Sequence, residues 1–266
     1  MSSTPSITPS IQIRPNPITA TLEWFGELGS FMWGVLRAAV TPPFQVAEFI
    51  RQLDEIGAKS MPLVALAGSA IGVVLALEAH SSLVRFGAKA LLPATVVFSI
   101  VTEMGPIITG LIVSGRVGAG IGAELAAMKV TEQIDAIEVS AVDPQKLLAA
   151  TRICACIVAL PLLTLVASFF GVLMGWVATD FLEPISLTRF VNAGFKSASF
   201  KDFLPPTFKT CVYGLIIGTI SSFQGMRTKG GAAGVGNAAT TSVVVSSLFV
   251  ILADVILVKV ILLLFP

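Results

Sequence analysis

The chain has 266 residues, 55% of them hydrophobic and 12% charged, with a formal net charge of +1 and a mean hydropathy of +0.89. A soluble domain carries about 25% charged residues, so a soluble fold is excluded, and with no basic run no nucleic-acid partner is expected. Cys154, Cys156 and Cys211 lie inside apolar runs, too few and wrongly spaced for a zinc site or redox pair; they are packing residues, and no metal site or catalytic residue is expected.

Residues 1–18 are rich in Ser, Thr and Pro, with Arg14 the only charge and no apolar run of the kind a signal peptide needs. A disordered tail is expected there. Residues 20–56 mix Trp24, Phe25, Phe31, Trp33, Phe44 and Phe49 with Glu23, Glu27, Arg37, Glu48 and Arg51. Large rings beside charges at helical spacing predict a helix lying in the membrane interface, anchored by Trp24, Phe25, Phe31 and Trp33, and broken or kinked at Pro42-Pro43. The other reading is a helix packed on the bundle from the water side.

Residues 60–77, 153–179, 210–226 and 230–253 contain no Asp, Glu, Lys or Arg, and residues 90–115 contain only Glu103. A membrane-spanning helix needs about 20 mostly apolar residues, which predicts five spans near 60–79, 90–115, 147–179, 205–226 and 241–264. Glu78 and His80 close the first span at headgroup level, where a lone His is an interfacial residue rather than a ligand. Glu103, next to Gly105-Pro106, puts a carboxylate in hydrocarbon, which is costly unless it is paired, protonated or wet. It is either a polar point or hinge on a transport path, with Gly105 and Pro106 weakening the helix beside it, or a structural carboxyl satisfied by a neighbouring Ser, Thr or Arg. Asp143-Pro144 is a helix start, Asp capping the free amides. Residues 180–204, with Phe181, Phe190, Phe195, Phe200 and Phe203, predict a short amphipathic element at the membrane surface. Gly230 to Gly234 predicts a tight bend or a flexible loop before the last span. There Asp254 is expected to meet a partner on another helix, and Lys259 to snorkel outward. With the N-terminus inside, Lys and Arg divide ten against seven between the two sides, with Lys209 placed outside.

Residues 115–137 form a charged stretch between the second and third spans. Gly115, Gly118, Gly120 and Gly122 open it without the Gly-Lys-Ser/Thr ending of a phosphate loop; they are expected to allow a sharp turn and close backbone contact. Glu124, Met128, Glu132 and Asp135 follow at steps of four, four and three, one stripe on a continuous helix near 119–138. Such a stripe suits docking into a partner's groove; a solvated surface helix is the plainer alternative.

Several stretches together resemble the MlaE permease family of ABC transporters. They are Leu83-Val84-Arg85-Phe86-Gly87, Thr102-Glu103-Met104-Gly105-Pro106, Ser114-Gly115-Arg116-Val117-Gly118, Met128-Lys129-Val130-Thr131-Glu132-Gln133-Ile134-Asp135-Ala136, Val142-Asp143-Pro144, Phe223-Gln224-Gly225-Met226-Arg227 and Gly230-Gly231-Ala232-Ala233-Gly234. Met104 and Ile137 stand where Leu is usual. The resemblance covers about residues 20–266 and implies an all-α integral membrane protein forming one permease domain over 19–266. It implies an N-terminal interfacial helix, five transmembrane helices and a cytoplasmic coupling helix between the second and third. The coupling residues would be Glu124, Met128, Lys129, Thr131, Glu132, Gln133 and Asp135, seated on an ABC ATPase subunit that binds ATP and Mg, so this chain needs no cofactor of its own. The remaining implied partners are a periplasmic MCE-domain protein, a second copy of the chain, and membrane phospholipid as cargo. The implied location is the bacterial inner membrane, N-terminus cytoplasmic and C-terminus periplasmic. An ion-coupled secondary transporter would need several intramembrane charges and internal repeats; the sequence offers Glu103 and Asp254 and no repeat. A non-transporting scaffold and a sterol or other hydrophobic cargo are the remaining alternatives.

Overall fold

The computed structural model describes residues 17–42, 44–196 and 200–264, so the predicted tail lies, up to residue 16, outside the described residues. Among the described residues the chain is helical with no strand. Five rods are long and apolar enough to cross a membrane: Val46–Arg85, Lys89–Val130, Gln145–Leu182, Phe203–Met226 and Gly231–Leu264. Helices satisfy their own backbone groups in hydrocarbon, and the chain is an all-α multi-pass membrane protein.

In chain order, α1 is Pro17–Val40, and the first rod joins α2 (Val46–Ile56) to α3 (Met61–Arg85) through a tight turn at Ala58–Ser60. The second rod is α4 (Leu92–Ser99), α5 (Gly105–Val113) and α6 (Ala119–Val130), linked by π turns at Ile100–Met104 and Ser114–Gly118. A short α7 (Gln133–Val139) precedes α8 (Thr151–Leu182), then α9 (Leu187–Phe195), α10 (Phe200–Met226) and α11 (Gly231–Leu264). The second rod, 42 residues, is about 63 Å long at 1.5 Å per residue, against a hydrocarbon core of ~30 Å. Part of it therefore extends beyond the hydrocarbon core.

Small residues set the helix crossings. Lipid tails are as apolar as Leu, so close backbone packing has to hold membrane helices together. Gly68, Gly72 and Ala76 of α3, one turn apart, meet Ala167, Gly171 and Gly175 of α8; a Cβ on Gly72 would strike the carbonyl of Gly171, and one on Gly68 that of Ala167. Three turns earlier along α8, a Cβ on Gly214 of α10 would lie 2.5 Å from the Cys156 carbonyl oxygen. Leu125, Leu160, Leu163, Ile217 and Val250 fill the space between these crossings. Cys156 is fully buried there, which agrees with a packing role.

Three expectations need correction. Residues 115–122 are not a loop: the helix continues from Val113 through the Ser114–Gly118 π turn into α6. Glycine serves close packing there, since a Cβ on Gly118 would approach Ser221 Oγ at 3.2 Å and one on Gly122 would strike Ser242, while Gly115 and Gly120 face open space. Residues 20–56 break near Pro42-Pro43 as expected, but the second part does not stand apart from the first span. They form α1 and α2, and α2 runs on into the first rod. Trp24 packs against Phe223 (5.9 Å) and Phe249 (6.3 Å), Phe31 against Phe223 (5.6 Å), and Val35 is buried among Ala149, Ala150 and Ile153. Phe25 and Trp33 are exposed, as are Leu22 and Val40, so α1 lays one face on the bundle and leaves a second apolar face free. Finally, Lys209 is not in an outer loop but buried within α10.

Other expectations agree with the structure. Asp143 accepts from the Gln145 backbone N–H at 2.9 Å at the start of the third rod. Gly230 and Gly231 have φ of +92° and +58°, the left-handed values of a tight bend that glycine adopts without strain. The short element expected in 180–204 is α9. Phe190 is fully buried, a Cβ on Gly194 would press on Val97 of α4, and Phe195 stacks on Phe203 at 5.1 Å. At the same end Glu183 meets Lys89 and His80, an ion pair between the third rod and the start of the second. The Lys89 ammonium holds the Glu183 carboxyl below the usual carboxylate range, with His80 adding to it.

Candidate functional site

Two groups of polar residues stand apart from this apolar packing. The first lies inside the bundle. At the Ile100–Met104 π turn Glu103 leaves α-helical register, and Lys209 of α10 donates to its Oε2 at 2.8 Å. The same ammonium lies 2.9 Å from Asp254 Oδ1 of α11, and Tyr213, one turn beyond Lys209, donates to Asp254 as well. Two carboxylates and one ammonium thus join the second, fourth and fifth rods. Lys209 has 1% of its side chain exposed and Asp254 6%, whereas Glu103 keeps 34%. Glu103 is the group of the three that opens to the outside. π turns recur at functional sites, and here the turn presents a carboxylate to a lysine on another span. Beside it, Pro106 is buried, and a Cβ on Gly105 would lie 2.5 Å from Ser168 Oγ, so this part of the rod is pinned to α8. Of the two readings of Glu103, the structural one is met by a Lys, not by the Ser, Thr or Arg expected. Asp254 does meet its partner on another helix.

The second group lies at the far end of the second rod. α6 stops at Val130, Glu132 takes a left-handed conformation (φ +58°), and α7 starts afresh at Gln133. The predicted continuous helix over 119–138 is therefore two helices, and Glu124, Met128, Glu132 and Asp135 do not share one stripe. A non-glycine residue at positive φ is strained, and Lys129 bonding Asp135 at 2.6 Å clamps the two helices across it. Thr131, Glu132 and Gln133 are exposed on the turn. Met128 packs on the core, and Glu124 pairs at 2.8 Å with Arg152 of α8, whose side chain is 1% exposed.

Arg152, Lys209 and Tyr213 were not singled out from the sequence. Arg152 and Lys209 each border an uncharged run near the start of a predicted span, 147–179 and 205–226, and look like charges at a span's end. The signal available for Lys209 was its spacing: Tyr213, the only tyrosine, follows one helical turn later on the same face.

Long apolar rods, a charged centre inside the bundle and a clamped polar turn at one end are the features of a polytopic membrane protein with a polar path and a water-side contact. Residues 49–260 match the family described as Permease MlaE. A probable ABC transporter permease protein of Rickettsia typhi is 36% identical over 229 residues, covering 86% of this chain and 88% of the relative. A counterpart in Synechocystis is 32% identical over 205 residues, 77% of this chain and 78% of the relative. The chloroplastic protein TRIGALACTOSYLDIACYLGLYCEROL 1 of Arabidopsis thaliana is 31% identical over 208 residues, 78% of this chain and 59% of its own. The chain belongs to the MlaE permease family: it is the membrane subunit of an ABC transporter, and it implies a separate ATPase partner.

Proposed function

We propose that this permease moves lipid, with phospholipid as cargo, between the bacterial inner membrane and a periplasmic MCE-domain protein, working as a homodimer. The N-terminus is cytoplasmic and the C-terminus periplasmic, and ATP and Mg are bound by the ATPase partner. The observation that carries the reading is the clamped α6–α7 turn at the end of a rod that also holds Glu103. Thr131, Glu132, Gln133 and the Lys129–Asp135 pair form an exposed polar knob on which an ATPase can push. Glu103 lies 27 residues back from Val130 along the same helix, about 40 Å at 1.5 Å per residue. Displacement at the knob is carried along that rod, and the π turns at Ser114–Gly118 and Ile100–Met104 are where it can flex. Glu103 then sits where a moving headgroup would meet charge. For the cargo, support comes from the name of the Arabidopsis relative, which contains that of a diacylglycerol glycolipid, and from the exposed apolar face of α11, which suits lipid and a second copy.

Glu132→Lys tests the coupling. The variant should insert normally yet fail to co-purify with the ATPase or support ATP-dependent lipid transfer in proteoliposomes. Wild-type ATPase binding and transfer would overturn the docking role. Lipids extracted from the assembled complex and identified by mass spectrometry test the cargo: phospholipid enriched over the surrounding membrane supports it, and a sterol or no enrichment refutes it.

A further inference from the structure

At the end of the bundle opposite the α6–α7 turn, α8, α9 and α10 enclose an apolar groove of about 690 Å³, which borders the charged centre at Val101 and Phe208. That lies within the roughly 300–1,000 Å³ of ligand pockets. Its walls include Pro161, Leu165 and Phe169 of α8, Val191 of α9, and Leu204 and Phe208 of α10. Among the described residues no charged side chain lines it.

The nine residues of α9 divide by face at 3.6 residues per turn. Phe190 and Gly194 point to the bundle, against α4. Leu187, Val191 and Phe195 line the groove. Thr188, Asn192 and Lys196, the next stripe round, line a second, polar concavity of about 430 Å³ together with Arg189. Two acidic residues nearby are engaged elsewhere: Asp180 accepts from the Ile185 backbone N–H at 2.9 Å, and Glu183 pairs with Lys89. α9 therefore turns one face to the apolar groove and, about 100° round the helix, a polar stripe with two cations outward, the pairing of chain and charge found in an anionic phospholipid.

We propose that this groove is a second lipid site, holding an acyl chain of an anionic phospholipid whose phosphate is met by Arg189 and Lys196 on the rim of α9. The groove runs up to the Glu103 centre without including its charges, since Val101 shares the π turn with Glu103 and Phe208 precedes Lys209, and filling it requires no transport. Its occupant is a resident lipid, exchanging with the leaflet on the α9 side.

Trp176 reports on it. Its side chain lies one turn from Val172 and Leu173 of the groove, and its indole N–H donates to the Ile185 carbonyl at 2.9 Å, just before α9. The chain has three tryptophans, so Trp24→Phe with Trp33→Phe leaves Trp176 as the only emitter. The full chain is placed in phosphatidylcholine nanodiscs, and chain-brominated phosphatidylglycerol or chain-brominated phosphatidylcholine is titrated in. The site predicts saturable quenching at low mole fraction by the anionic lipid only. Arg189→Gln with Lys196→Gln should raise the half-saturating fraction about thirtyfold, at roughly fivefold for each cation lost near a membrane surface. Val191→Phe, which fills the groove, should abolish the saturable phase while leaving the emission of the lipid-free protein unchanged. Quenching in proportion to mole fraction and equal for both lipids would show ordinary surrounding lipid and overturn the proposal. So would the absence of quenching by either, which would mean that a protein segment covers the groove.

Discussion

Lys209→Met removes the one cation from a centre holding two carboxylates. The lysine side chain is 1% exposed, 2.8 Å from Glu103 and 2.9 Å from Asp254. Met keeps the length and the apolar stem, so little packing is lost and the effect is that of charge. Breaking a buried ion pair by removing one partner costs about 3–5 kcal/mol. Asp254 feels the loss most, since it stays 6% exposed with Tyr213 and Glu103 as its remaining partners, while Glu103 keeps 34% of its side chain exposed. Replacing an entire buried pair by neutral groups of similar shape is often neutral or stabilising. The triple variant Glu103→Gln, Lys209→Met, Asp254→Asn should therefore recover most of what the single variant loses. Unfolding by sodium dodecyl sulfate titration in mixed micelles, followed by circular dichroism, measures both. A loss below about 1 kcal/mol for Lys209→Met, or a triple variant no more stable than the single one, would refute the view that one lysine holds the centre together. Transport adds a separate readout, because a purely structural centre leaves the stable triple variant active, whereas a pathway charge at Glu103 leaves it folded and slow.

Three further outcomes follow from the packing and the ion pairs. Gly72→Val forces two helices apart where a Cβ already meets the Gly171 carbonyl, so it should destabilise by at least the 1–3 kcal/mol typical of overpacking; a variant as stable as the parent in the same titration would contradict the crossing. The Glu183 carboxyl is held down by Lys89, so its folded-state pKa lies below the unfolded value near 4.3. The pair's contribution is present above that value and disappears as pH falls through the lower folded one. Lys89→Ala should thus flatten the acid side of the stability curve, and an unchanged curve would dismiss the pair. Lipid-borne quenchers should quench Trp33, on the free face of α1, more strongly than Trp24, which packs on Phe223; equal quenching in single-tryptophan variants would contradict that arrangement.

What the sequence determined by itself was set by composition and short-range pattern. Uncharged runs long enough to cross hydrocarbon have no other stable fate, so the five spans were legible from residues 60–77, 153–179, 210–226, 230–253 and the single-charge run 90–115. Local chemistry also sufficed for the Asp143 helix start, the glycine bend at 230–231 and the surface element between the third and fourth spans. Family motifs carried the rest of the sequence-level reading. Where helices end was less visible: α6 continues from the second span because Gly118 and Gly122 pack on α10 and α11, and the same residues in isolation suggest a turn. The break at Glu132 was hidden for the opposite reason, since Glu132 and Gln133 are themselves good helix formers and the left-handed residue is held by the Lys129–Asp135 bond across it. Which face of α1 is buried could not be derived from its rings alone, because Trp24 and Trp33 are alike in sequence and differ only in having Phe223 and Phe249 within reach. The charged centre was decided by tertiary structure alone. Glu103, Lys209 and Asp254 lie more than 40 residues apart in sequence, and only the packing of three spans supplies each charge with the partner that makes its burial tolerable.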